Sequence, residues 1–81
     1  MYATSWCGYC ARARQLLAAK GASFTEIDVD QVPGSRAEMQ QRSGRTSVPQ
    51  VFIGGQHVGG YDDLRALDQR GELDPLLAAT S

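Results

Sequence analysis

The sequence predicts an α/β domain, a four-stranded mixed sheet with helices on its faces, and three observations point there. Strand-like and helix-like stretches alternate through the first half of the chain. The apolar run Val51-Phe52-Ile53 leads straight into Gly54-Gly55, which signals a strand and a hairpin turn. Glycines at positions 21, 44 and 71 each follow a helical pattern, where a helix stop belongs. The resulting order is βαβαββα, which gives a mixed sheet rather than a purely parallel one.

Met1 to Thr4 reads as the first strand, ended by Ser5. From Gly8 onward Ala, Arg, Gln and Leu dominate, all good helix formers, with Ala13, Leu16 and Leu17 on one face. Ser23 to Val29 reads as the second strand, with Thr25, Ile27 and Val29 on one side and Phe24 on the other. Pro33-Gly34 opens a second helix from about Ser35 to Arg42. Val51 to Ile53 is continuous enough in apolar character to be a strand covered on both faces, and His57 to Gly59 return as its partner. Asp62 is an expected N-cap for a helix carrying Leu64 and Leu67, and Asp74-Pro75 is expected to cap a last short turn with Leu76 and Leu77. Phe24, Met39 and Phe52 read as core.

At 81 residues the chain is expected to be a single domain over 1–81 with a compact core. Eight basic and nine acidic residues leave a net charge of −1, which argues against general nucleic-acid binding. No apolar run is long enough to span a membrane. The N-terminus reaches the first cysteine almost at once, so no secretory signal is expected.

Cys7-Gly8-Tyr9-Cys10 holds the only two cysteines. A strand runs into the motif and a helix runs out of it. That junction puts the first sulfur over a helix N-terminus, whose unpaired N–H groups and positive dipole end favour a thiolate. The thiolate is the nucleophile of thiol–disulfide exchange, and the second cysteine is placed to resolve the product. Two other readings compete. A zinc site normally takes four protein ligands, and the chain offers one further candidate, His57, which reads better as a hairpin residue. An inert disulfide would close so small a loop that it constrains little of the unfolded chain. The redox reading fits the βα context best, and a redox pair fits a reducing compartment, so a cytoplasmic location is expected.

Three segments together carry a family resemblance: Cys7-Gly8-Tyr9-Cys10, Arg42-Ser43-Gly44-Arg45-Thr46-Ser47-Val48-Pro49-Gln50, and Gly59-Gly60-Tyr61-Asp62-Asp63-Leu64. In this order and spacing they resemble the glutaredoxins, of the small bacterial dithiol type with the thioredoxin fold, over nearly the whole chain. The resemblance implies a glutathione-dependent thiol–disulfide oxidoreductase, monomeric, acting on glutathione mixed disulfides and protein disulfides. It implies a nucleophile at Cys7 and a resolving thiol at Cys10.

The resemblance also implies a glutathione site made by Tyr9, Arg36, Ser47, Val48, Pro49, Gly60, Asp62 and Asp63. Pro49 would be cis, turning the Val48 backbone toward Cys7 to pair with the cysteinyl part of glutathione like an extra strand. The N–H groups of Asp62 and Asp63 would hold the γ-glutamyl carboxylate, and the Asp63 side chain its ammonium. Glycines let a backbone come close to a ligand, and a helix N-terminus suits an anion. From their positions, the Tyr9 ring can cover the exchanging sulfurs or stand as a surface aromatic, and Trp6, just before Cys7, can pack against a substrate.

Two positions depart from the family pattern. Thr4 stands where many members have a lysine for the glycyl carboxylate, which leaves Arg36 for that contact. Gly8 stands where most dithiol members have proline. Some members with a small residue there bridge a [2Fe–2S] cluster between two subunits, using the cysteine equivalent to Cys7 and two glutathione thiols; a monomer alone holds no metal on this reading. Ser5-Trp6-Cys7-Gly8-Tyr9-Cys10 is also locally similar to the mycothiol-dependent mycoredoxins, although the stretch from Arg42 to Leu64 follows the glutathione type.

Overall fold

The structure, a computed structural model, describes residues 1–80. Its elements are β1 (Tyr2–Ala3), α1 (Gly8–Ala19), β2 (Ile27–Asp28), α2 (Ser35–Ser43), β3 (Val51–Ile53), β4 (Gln56–Gly59), α3 (Tyr61–Gln69) and α4 (Leu73–Thr80). β1 pairs with β2 in parallel, and β3 pairs with β4 antiparallel. An antiparallel bridge between Tyr2 and Gln50 joins the two pairs. Tyr2 N–H donates to the Gln50 carbonyl at 2.9 Å and Gln50 N–H to the Tyr2 carbonyl at 3.0 Å. The sheet therefore runs β2-β1-β3-β4 and is mixed, as the sequence predicts.

The second strand is shorter than expected. Its ladder closes at Met1, whose ammonium donates to the Thr25 carbonyl at 2.7 Å, and Ser23 to Glu26 stay outside it. Phe24 is consequently exposed, at 38%, and does not join the core as expected. The end of the chain differs in the other direction. The expected short turn is a helix of its own, α4, so the order becomes βαβαββαα. Pro75 lies in its first turn, where a missing N–H costs nothing. Leu73, the first residue of α4, is fully buried, and Lys20, the C-cap of α1, ties Asp68 of α3 to Asp74 of α4 at 2.6 and 3.1 Å.

Apolar residues of the sheet and helices form two clusters. One joins Ala3, Cys10, Ala13, Leu17, Val51, Ile53, Leu64 and Leu73, with Leu16, Val58 and Leu67 half-buried against it. The other joins Tyr2, Val29 and Met39, with Phe52 half-buried beside them. The Tyr2 hydroxyl donates to Glu38 and accepts from Arg42 at 2.8 Å, so α2 is held to β1 by a polar link as well as by packing. The β3–β4 turn needs positive φ at both central positions, and Gly54 and Gly55 supply it at 58° and 82°.

Candidate active site

Cys7 is the N-cap of α1, with extended backbone angles. Its sulfur accepts the Cys10 N–H at 3.4 Å, a bond that a serine or aspartate oxygen makes in most helices. No acidic residue occupies the first turn of α1, so nothing there competes with a thiolate for the helix end. Burial pushes the Cys7 thiol up. The Cys10 N–H and thiol, the Tyr9 N–H and the Arg14 charge outweigh it, and the net direction is down. Cys10 is fully buried in the core, and burial drives its thiol up to about 11 against a bond from the Thr4 backbone, with the neighbouring Cys7 adding to the rise. One thiol is thus accessible and acidified, and the other is sealed and protonated.

The Val48–Pro49 peptide is cis, as the resemblance implies. The Cys7 thiol donates to the Val48 carbonyl at 3.8 Å, which brings the second motif against the first. The third closes on the second, since a Cβ added to Gly60 would sit 3.5 Å from the Pro49 carbonyl. The cis-proline segment therefore touches both the cysteine motif and the glycine-led start of α3.

The α3 end departs from expectation. Gly60, not Asp62, is its N-cap, and Asp63 does the capping by accepting the Gly60 N–H at 3.0 Å. A helix entered through an extended glycine has no side chain at its cap, so the carboxylate three residues on takes over the orphan donor. Asp62 is exposed, with its N–H in the first turn. The Asp63 carboxylate also takes Arg45 at 3.0 Å, and Arg45 first, then the Gly60 N–H, hold it below the usual carboxylate range. Gly59, at φ 122°, must be glycine, because a Cβ there would run into the Asp63 carboxylate.

The remaining expected residues are spread around this centre. Tyr9 is 56% exposed, with its ring tilted on Tyr61 at 6.4 Å and Arg12 over it at 5.5 Å. Trp6 is 74% exposed and donates to Asp30 at 2.9 Å, and Arg36 pairs with the other oxygen of Asp30 at 2.9 Å. Arg36 is thus linked through Asp30 to Trp6, the residue before Cys7. Thr4 is buried, and its hydroxyl is the one buried side-chain oxygen among the described residues without a hydrogen-bond partner. Ser47 is exposed, Val48 half-buried and Pro49 buried.

Sequence reasoning missed Arg14 and Arg45. Arg14 lies seven residues after Cys7 and four after Cys10, on the same helix face, a spacing that carried the signal. The Arg45–Asp63 pair spans eighteen residues and had no local signal. For a [2Fe–2S] cluster, which needs four thiolates, Cys7 fits as one ligand; Cys10 is too buried to serve as another. No group of three His, Cys, Asp or Glu able to hold a metal ion occurs among the described residues.

Comparisons with known proteins agree with one another. The glutaredoxin family model matches residues 1–58. A glutaredoxin of Pseudomonas aeruginosa is 54% identical over 79 residues, covering 98% of this chain and 94% of that protein. Glutaredoxin 3 of Escherichia coli is 57% identical over 77 residues, covering 95% of this chain and 93% of its own. Among solved structures, the crystal structure of a buckwheat glutaredoxin–glutathione complex superposes with a TM-score of 0.91 at 35% identity, covering 98% of this chain and 74% of that one.

Proposed function

This chain belongs to the glutaredoxin family of thiol–disulfide oxidoreductases, and from that premise we propose that it uses glutathione, with Cys7 as nucleophile and Cys10 as resolving thiol. The observation that carries this reading is the meeting of an acidified, accessible Cys7 with the Val48 backbone at 3.8 Å, beside the N-terminus of α3. Val48 offers a backbone edge to the cysteinyl part of glutathione. The N–H groups of Asp62 and Asp63 suit the γ-glutamyl carboxylate, and the Asp63 carboxylate suits its ammonium in exchange for Arg45. Arg36 takes the glycyl carboxylate, and Tyr9, Ser47, Pro49 and Gly60 line the site. The glutathione complex of the buckwheat relative supports this use of the fold.

In the reaction, the Cys7 thiolate attacks the glutathionyl sulfur of a mixed disulfide. A bond forms between Cys7 and that sulfur, the original S–S bond breaks, and the substrate leaves as a thiolate that takes up a proton. A glutathione thiolate then attacks the glutathionyl sulfur, forming oxidised glutathione and returning the Cys7 thiolate. On a protein disulfide, Cys7 opens the bond and Cys10, after losing its proton, attacks the Cys7 sulfur. The substrate leaves reduced, and two glutathiones reduce the Cys7–Cys10 bond. A low thiol pKa serves Cys7 both in attack at neutral pH and as a leaving group. With Cys10 held near 11, the first route runs without it.

The protein works on this reading as a cytoplasmic monomer. A bridged [2Fe–2S] dimer would draw on Cys7 alone from each chain, and a colourless protein after anaerobic reconstitution with iron, sulfide and glutathione rules it out. The central test is turnover of one mixed-disulfide peptide with glutathione and with mycothiol in parallel. Faster turnover with glutathione is expected; preference for mycothiol overturns the reading.

A further inference from the structure

Gln50 follows the cis-proline and is fully buried, an unusual place for a carboxamide unless each of its polar atoms is used. They are. Its amide nitrogen donates to the Ser47 carbonyl at 3.0 Å and to the Ser47 hydroxyl at 3.2 Å. Its oxygen lies 2.8 Å from Nε2 of His57 on β4. Both amide hydrogens are committed to Ser47, so the oxygen faces His57, and the imidazole must carry a proton on Nε2. The His57 ring rests on Phe52 at 4.9 Å. The Gln50 backbone is fixed to β1 through its two bonds with Tyr2. A side chain anchored in the sheet thus reaches back three residues and braces the loop on the far side of Pro49, which has no N–H with which to brace itself.

We infer that the Gln50 carboxamide, held by His57, is a positioning device that fixes the Ser47–Val48 backbone against Cys7. It touches neither the sulfurs nor the substrate. It sets where the Val48 edge stands, and so how well the site grips the glutathione half of a mixed disulfide. The inference rests on the reading of Val48 as the edge that pairs with glutathione. Sequence alone hid it, because Gln50 stands just before β3 and His57 on β4, and each looks ordinary.

The test compares a single-cysteine peptide blocked with glutathione and the same peptide blocked with cysteamine, which lacks the γ-glutamyl and glycyl parts. In Gln50→Met, similar in shape but unable to donate to Ser47, KM for the glutathionylated peptide is expected to rise about tenfold with kcat little changed. Turnover of the cysteamine-blocked peptide and the pH profile of Cys7 alkylation are expected to stay as in the wild type, which a general loss of structure would not allow. His57→Phe keeps a ring on Phe52 but leaves the Gln50 oxygen without a donor, and is expected to raise the same KM about threefold. If Gln50→Met does not fold, His57→Phe decides. An unchanged KM for the glutathionylated peptide, or equal losses on both peptides, overturns the inference while leaving the glutathione reading intact. A wild-type protein that treats the two peptides alike overturns that reading and the inference with it.

Discussion

Two helix N-termini meet the cis-proline loop, α1 at Val48 and α3 at Pro49, and they are furnished in opposite ways. At α1 the cap is a thiol, and the first turn holds no acid. At α3 the cap is a glycine, and the first turn holds Asp62 and Asp63. The same backbone physics, orphan N–H groups at the positive end of a dipole, therefore does two jobs. At α1 it is spent on the sulfur and lowers its pKa. At α3 a carboxylate already answers one donor, and what remains is a mixed-charge surface suited to a zwitterion. On the glutathione reading proposed above, one end activates and the other recognises.

The contrast predicts unequal consequences. Cys7→Ser removes the activated end and should lower turnover of a small glutathione mixed disulfide at least about a thousandfold, whereas Cys10→Ser should keep much of it. Comparable losses in the two variants would break the division of roles.

Asp63→Asn weakens the recognising end without touching the sulfurs. KM for the same substrate should rise about tenfold, and the helix should lose about 1 kcal/mol of capping. Asp63 is depressed in the folded state, so its ionic contribution to stability is present above the ordinary carboxylate pKa and lost as pH falls through the depressed one. Thermal unfolding should therefore show the gap between wild type and Asp63→Asn shrinking only on the acid side of about pH 4.

The two thiols should also separate by alkylation. Cys7 should react with a midpoint below the ordinary thiol value, and Cys10 should resist until the chain unfolds. Their linkage to stability has opposite sign. The Cys7 contribution is present above the ordinary thiol pKa and fades as pH falls through its lowered value. The Cys10 contribution is complete below the ordinary value and fades as pH rises through about 11. Mass spectrometry of partly alkylated protein reads both, and equal labelling of the two sulfurs would contradict the environments described.

The smallest effect concerns Gly8. It is the first residue of α1, after an extended Cys7, and an added Cβ there meets nothing within 4 Å. Packing does not require the glycine. Gly8→Pro should fold normally and gain about 0.4–1 kcal/mol, because proline suits that position and stiffens the unfolded chain. Since the sulfur takes its N–H groups from Tyr9 and Cys10, the Cys7 alkylation midpoint should barely move. A large shift would mean that the Gly8 N–H also serves the sulfur.

Much of this was legible in the residues. The Cys7–Cys10 spacing, the Val51–Ile53 run, the Gly54-Gly55 turn and the glycine helix stops are local signals. They hold because capping, turn geometry and hydrophobic periodicity act over a few residues. What local signals misjudged depended on a distant neighbour. Phe24 is exposed because the β1–β2 ladder does not reach it. Asp62 looked like a cap until the glycine-led entry gave that role to Asp63. The final turn became a helix because Leu73 found the core and Lys20 reached Asp74.

By itself, then, the sequence determined which chemistry this chain carries and the order of its elements as far as α3, since a cysteine pair at a strand–helix junction has few other uses. Only the tertiary structure decided how the two sulfurs differ, which aspartate closes α3, and what steadies the loop between them. Burial, charge pairing and the reach of a side chain such as Gln50 are set by residues far apart in sequence, and they exist only once the strands and helices have met.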